Sequence, residues 1–456
     1  MNFEGYQYVA LVAVLAECFV IAFTYNRKPN VAVACIILSI ALKGQYIWVG
    51  RPIYAWQLVS VFALLHLVFK GGTTVPRAGI SFSTFRLAML FFFLYSVFIS
   101  IPLWYILSVE GHGDKATAVS FSRIASQTVY LCFLLGLFTL GIRAGRHITT
   151  FDMLRTVISV STFIAYGAIF QVTVLYLTGI NLFPIIGSDE TIRSAYIMDL
   201  VFRATSFAGE PKHLGLIMAF GLTCHFLMRL FRIPMGRQFA FRSSAAMVAA
   251  LVLSLSATGI FLTALTIGFL ALIFFRLLRY SDYAIAGFVL AISVTQILGS
   301  DGIFSSTLQA QASKTEFEVQ DQSVSRALSE NPEFLVFGSG LGNIHLFAVE
   351  HLPSNFPLFR ESGYKANSGL FYVLGDSGLI GLLFLTIGPF LALNGYLVVR
   401  NKLPLAYRRE AAITLAFIFA SLLSFLLRFD VIYFMLSGFA YARLGILNKC
   451  QSAPRL

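Results

Sequence analysis

Charge is what this 456-residue chain has least of: only 12% of its residues are Asp, Glu, Lys or Arg, against 58% hydrophobic. Soluble domains carry about a quarter charged residues, so a water-soluble enzyme or binding module is excluded. Cysteine is scarce too. Of five, Cys18, Cys35, Cys132 and Cys224 fall in apolar runs and Cys450 in the basic tail, which excludes a disulfide framework. Seven histidines at no common zinc spacing argue against a metal centre; His345 and His351, six apart, match none. There is no internal repeat, no long low-complexity segment, and no basic n-region with a small-residue cleavage site before the first apolar run, so a cleaved signal peptide is not expected.

What is present is grease, with a mean hydropathy of +0.80. Runs able to cross about 30 Å of hydrocarbon lie near 6–24, 31–49, 54–69, 87–106, 128–142, 154–178, 214–229, 243–257, 259–277, 283–299, 368–399, 411–427 and 431–448. The expected fold is all-α, a polytopic transmembrane bundle of about 13 helices. The eighth and ninth runs meet at Ser254–Gly259 and are separable only if the chain turns there. Residues 1–456 read as a single integral membrane domain with a large periplasmic loop over 300–367.

Of the 33 lysines and arginines, 21 fall on alternate loops, among them Arg229, Arg232, Arg237 and Arg242. Few acids share those loops, and Lys and Arg collect on cytoplasmic flanks. The last basic segment is then inside and the amino terminus outside. The net charge of +12 reports this topology and attraction to anionic lipid. Nucleic acid, which needs a soluble basic face, is excluded as a partner. Glu17 and Lys43, inside the first two runs, are expected to pair with each other.

Three outer segments are too long for tight turns, near 107–127, 179–213 and 300–367. In the third, Phe317, Val324 and Leu328 recur at helical spacing and Glu330-Asn331-Pro332 stops the helix, which reads as a small cap on the membrane surface. Gly338, Gly340 and Gly342 follow. Such a loop either cradles phosphate through its N–H groups or simply turns the chain back; three glycines alone favour the turn.

The chemistry gathers in the second and third outer segments. Arg193, Arg203, Glu210, Lys212 and His213 precede the seventh run, and Arg326, His345, Glu350, His351, Arg360, Glu361, Lys365, Asn367 and Ser368 lie in or just after the cap. Arginines suit a diphosphate, since a guanidinium donates two parallel hydrogen bonds to phosphate oxygens and stays charged. Carboxylates and imidazoles can take a proton from an attacking hydroxyl.

The motif Arg203-x-x-Ser206-x-x-x-Glu210-Pro211-x-x-x-Gly215 resembles the segment entering a central helix in O-antigen polymerases and ligases. The Ser254–Gly259 turn, Arg326 upstream of Phe337-Gly-Ser-Gly-Leu-Gly342, and Asn367-Ser368 followed by Gly378-x-x-Gly381 come in the same order. Asn367 stands where the ligase pattern has a histidine; an amide positions a hydroxyl but is no general base, which tilts the resemblance toward polymerase. The Ser254 turn also lacks the arginine often seen there.

The resemblance implies a metal-independent glycosyltransferase of lipopolysaccharide or related polysaccharide biosynthesis, without cofactor, in a bacterial inner membrane. Its partners would be undecaprenyl-diphosphate-linked oligosaccharide, membrane lipid and a chain-length regulator. Arg203 and Arg326, then Arg193, Arg360 and Lys212, are expected to hold the diphosphate beneath one lid. Glu210, Glu350, His351 and Glu361 are the candidate bases, and His213, Asn367 and Ser368 would position the acceptor. The alternatives are a ligase acting on lipid A core and, in another class, a polysaccharide-lipid transporter or flippase.

Overall fold

A computed structural model describes residues 3–25, 27–42, 46–48, 52–69, 80–109, 121–180, 196–197, 201–274, 316–352, 366, 368–428 and 430–452. It is a multi-pass helical membrane protein. Among the described residues, six helices are long and apolar enough to cross a membrane, and shorter apolar helices accompany them. The chain divides into two compact units: residues 1–74 with 144–312, and residues 75–143 with 313–456.

The first unit opens with α1 (Phe3–Thr24), α2 (Pro29–Ala41) and α3 (Ala55–Phe69), which pack on one another. The second apolar run, expected as one helix over 31–49, is corrected here. Its helix stops at Ala41, about 20 Å long at 1.5 Å per residue. Tyr46–Trp48 (β1) instead pairs antiparallel with Pro52–Tyr54 (β2), as suits aromatic and β-branched residues flanking a turn. Lys43 lies outside the described residues, so its pairing with Glu17 does too. Among the described residues Glu17 Oε2 is buried without a hydrogen-bond partner.

The long helix of this unit, α6 (Thr150–Thr178), is signalled locally at both ends. Thr149 and Asp152 form a reciprocal capping box, satisfying amide groups that the first turn leaves open. Gly179 closes the other end in the left-handed conformation. Against α6 pack α7 (Pro211–Leu230) and α8 (Arg237–Ser254), and α9 (Ala257–Ile273) packs on α7. The eighth and ninth runs are therefore two helices, divided by Leu255 in a left-handed conformation and by Ser256, whose hydroxyl caps α9 at the Gly259 N–H. A second minimal ribbon, β3 (Tyr196–Ile197) with β4 (Val201–Phe202), leads into α7. The tenth run, 283–299, lies outside the described residues.

The second unit is built from α4 (Ile80–Val109), α5 (Phe121–His147), the cap helices α10 (Glu316–Glu330), α11 (Pro332–Phe337) and α12 (Ile344–Ala348), and then α13 (Gly369–Val399), α14 (Leu405–Leu427) and α15 (Ile432–Ser452). The helix expected around Phe317, Val324 and Leu328 is α10. It ends at Glu330 as Pro332 begins the next helix, and it buries Val324 and Leu328. The cap packs on α13, which also lies along α4 and α14. A core of Phe425, Tyr433, Phe434 and Phe92 stacks edge and face at centroid separations of 5.2 to 6.4 Å.

One ion pair is buried where α14 meets α15: Arg443 donates from Nε to Glu410 Oε1 at 2.6 Å and from Nη2 to Oε2 at 3.2 Å. Glu410 is 5% exposed. The two-pronged geometry satisfies both carboxylate oxygens, which is what makes burial of the charges tolerable.

Candidate functional site

The segment 203–215 in the first unit is held by hydrogen bonds to helices on either side. From α6, Gln171 reaches out of the helix face with its side chain 1% exposed. Its Oε1 accepts from the Thr205 N–H at 3.0 Å and the Ser206 N–H at 2.8 Å, while its Nε2 donates to Thr205 Oγ1 at 3.0 Å. Ser206 adds a bond from its hydroxyl to the Ile164 carbonyl at 2.8 Å, and its backbone is left-handed at φ 49°. That conformation costs an L-residue about 1–2 kcal/mol, so the surrounding bonds over-determine it. Phe207 then stacks on Phe163 with the rings 3° from parallel.

Sequence reasoning missed Gln171. The signal was there, a lone amide within an otherwise apolar run, and polar groups at that depth are kept only with partners. Replacing Gln171 with Leu strips the acceptor from two buried amides at once. A loss of roughly 2–4 kcal/mol is expected, read as a lower melting temperature of the purified protein. A Gln171→Leu protein that melts with the unmodified one would show that the latch contributes nothing.

From the other side, the Ala204 N–H bonds the Leu253 carbonyl at 2.9 Å. Arg203 donates from Nε to the Ser254 carbonyl at 3.1 Å and from Nη2 to the Leu255 carbonyl at 3.5 Å. These are the last carbonyls of α8, which have no partner inside their own helix and sit at the negative end of its dipole. Arg203 thus terminates α8, a role the sequence did not disclose. Burial pulls its pKa down to about 10, partly offset by the Glu210 carboxylate. Because the folded value lies below the usual 12.5, the burial penalty is present at neutral pH and is relieved only as pH rises through about 10. The guanidinium is therefore a fixed cation at physiological pH.

The extended residue Glu210 precedes α7 and makes no side-chain capping bond; Pro211 takes the first helical position, where no N–H is needed. The carboxylate meets Lys212 instead, with Oε2 2.8 Å from Nζ, and lies 3.9 Å from His213 Nδ1. Both Glu210 and Lys212 are about a third exposed, so both are open to solvent. One turn further, Gly215 lies against Gly259 of α9. A Cβ on Gly215 would meet Ser256 Cβ and Oγ at 2.5 Å, and one on Gly259 would meet the Gly215 backbone at 2.6 Å. Only glycine at both positions lets the entry turns of α7 and α9 touch.

Among the second-unit residues, Arg326 is exposed on α10. His351 Nε2 lies 3.1 Å from Glu330 Oε2, and the neighbouring Glu350 is exposed. Ser368 caps α13: its hydroxyl accepts from the Phe371 N–H, and its own N–H bonds Asp321 Oδ1 at 3.3 Å. The remaining expected site residues, Arg193, Arg360, Glu361 and Asn367, lie outside the described residues.

The glycine loop resolves in favour of the turn. The N–H groups of Ser339, Gly340, Leu341 and Gly342 go in order to the Gly375 carbonyl, the Asp376 carbonyl, Ser100 Oγ and Asp376 Oδ1, at 2.7 to 3.0 Å. Four donors in a row are spent on protein acceptors, leaving none of these to cradle a phosphate. Those two carbonyls accept from the loop because α13 is broken at Gly378, whose φ of 63° and ψ of −168° are open to glycine alone. Asp376, 3% exposed, is a second residue the sequence reading passed over, an acid inside an apolar run.

No protein-family model matches the chain, and no curated protein matches it.

Proposed function

We propose that the chain is a polysaccharide polymerase: a glycosyltransferase of about 13 spans in a bacterial inner membrane, acting on its periplasmic side. It moves a growing glycan from undecaprenyl diphosphate onto a hydroxyl of another lipid-linked repeat unit. The observation that carries this reading is the 203–215 segment. A polymerase-like order of Arg, Ser, Glu, Pro and Gly coincides with a latched loop that sets an ammonium and an imidazole each within 4 Å of one carboxylate at the entry to a membrane helix.

In this reading Glu210 takes the proton from the acceptor hydroxyl, with His213 as its neighbour. The freed oxygen attacks the anomeric carbon of the donor sugar as that carbon's bond to the diphosphate oxygen breaks. Lys212 holds the departing diphosphate, and Arg203 sets the positive potential beside it while terminating α8. Each added positive donor at the leaving oxygens stabilises charge that develops only in the transition state.

A transporter is the second reading, favoured by the helix broken at Gly378 with Asp376 buried beside the break, since carriers place ionisable groups at unwound helices. Purified protein given lipid-linked repeat units without an ion gradient separates the two. Longer glycan with release of undecaprenyl diphosphate is expected; carrier movement across the bilayer with no new glycosidic bond would sink the polymerase.

A further inference from the structure

From residue 211 to residue 281 the chain contains no aspartate or glutamate, yet it carries Arg229, Arg232, Arg237 and Arg242 around one turn between α7 and α8. All four side chains are exposed. Arg155, exposed on α6, joins them by donating from Nη2 to the Pro234 carbonyl at 2.9 Å, which fixes that turn against the start of α6. The turn itself is held by bonds from the Arg232 N–H to the Arg229 carbonyl at 3.0 Å and from the Ile233 N–H to the Met228 carbonyl at 2.8 Å. Five exposed arginines thus flank one ordered turn. The positive ends of the α6 and α8 dipoles add to their field, while the negative end of α7 and the Asp152 carboxylate on α6 offset part of it and leave the net charge positive.

An exposed apolar stripe runs away from the same surface. Phe241, Val248 and Val252 are 72%, 48% and 49% exposed and stand seven and four residues apart on one face of α8, an apolar stripe suited to acyl chains. Phe241 begins that stripe, and Arg237 and Arg242 bracket it at the end where the hydrocarbon must give way to headgroups. Guanidinium beside an aromatic ring at this level meets a phosphate on one side and the upper acyl chain on the other.

We infer that the turn between α7 and α8, with Arg155, is a binding site for anionic phospholipid headgroups. The field selects for net negative headgroups, and the Phe241 stripe requires that the anion carry acyl chains. This site is independent of the chemistry proposed at Glu210.

The test uses the full chain, purified, stripped of lipid and mixed with equal amounts of phosphatidylglycerol and phosphatidylcholine, with bound lipid counted by native mass spectrometry. Unmodified protein is expected to retain phosphatidylglycerol about tenfold or more over phosphatidylcholine, and the Arg232→Gln, Arg237→Gln, Arg242→Gln triple variant to bring the two close to parity. Raising salt from about 0.05 to 0.5 M should weaken phosphatidylglycerol retention in unmodified protein, which tests the site even if the variant misfolds. Inorganic phosphate should not compete. Undiminished phosphatidylglycerol preference in the folded variant, insensitivity to salt, or displacement by inorganic phosphate would each overturn the assignment.

Discussion

Glu210→Gln is expected to cut chain extension by about a hundredfold or more while leaving the fold intact, because losing a general base removes roughly 10²–10⁴ in rate. The side chain is about a third exposed and makes no capping bond to α7, so the cost to the fold is confined to losing its partial offset of the Arg203 burial penalty. Its pairing with Lys212 at 2.8 Å is solvent-screened and contributes little to stability. The assay is glycan length from purified protein and lipid-linked repeat units, run beside a thermal melt. Polymer of unmodified length and amount from a folded Glu210→Gln protein would remove Glu210 from the chemistry. Activity lost together with a large drop in melting temperature would mean that the residue supports the loop instead.

Glu410→Ala should produce the largest fall in stability, about 3–5 kcal/mol, without touching the proposed site. The reason is asymmetric. Arg443 keeps its charge when its partner goes, and its Nε and Nη2 lose both carboxylate oxygens in a place where Glu410 is 5% exposed. Replacing both residues by methionine removes the charges together and is expected to recover most of the loss. Melting of the two purified variants decides it: a double variant as unstable as the single would mean that shape and packing, rather than an abandoned charge, hold α14 to α15.

The resemblance to polymerases spans several motifs from Arg203 to Gly381, and the structure gives residues of the first of them, 203–215, more than one task. Arg203 terminates α8, Ser206 carries a left-handed turn, and Gly215 admits Gly259. Each of these jobs constrains the residue type without reference to a substrate. The proposed chemistry at this segment therefore rests most directly on Glu210, Lys212 and His213, whose side chains are partly open to solvent.

Composition alone determined that the chain lives in lipid, because side chains this apolar cannot be covered by so few charges in water, and in lipid the polar backbone must close its hydrogen bonds within helices. Local sequence went further where the signal is local. The capping box at Thr149 and Asp152 and the stop at Pro332 are legible within a few residues, whereas Ser254–Gly259 leaves one kinked helix or two open until Leu255 turns left-handed and Ser256 caps α9. Tertiary structure alone decided what depends on partners far along the chain. Gln171 reads as one stray amide until Thr205 and Ser206 arrive beside it, 34 and 35 residues later. The glycine loop reads as a phosphate cradle or a turn until α13, broken at Gly378, presents its carbonyls to the same N–H groups. A donor's sequence shows that it can bond; only the fold shows which acceptor reaches it first.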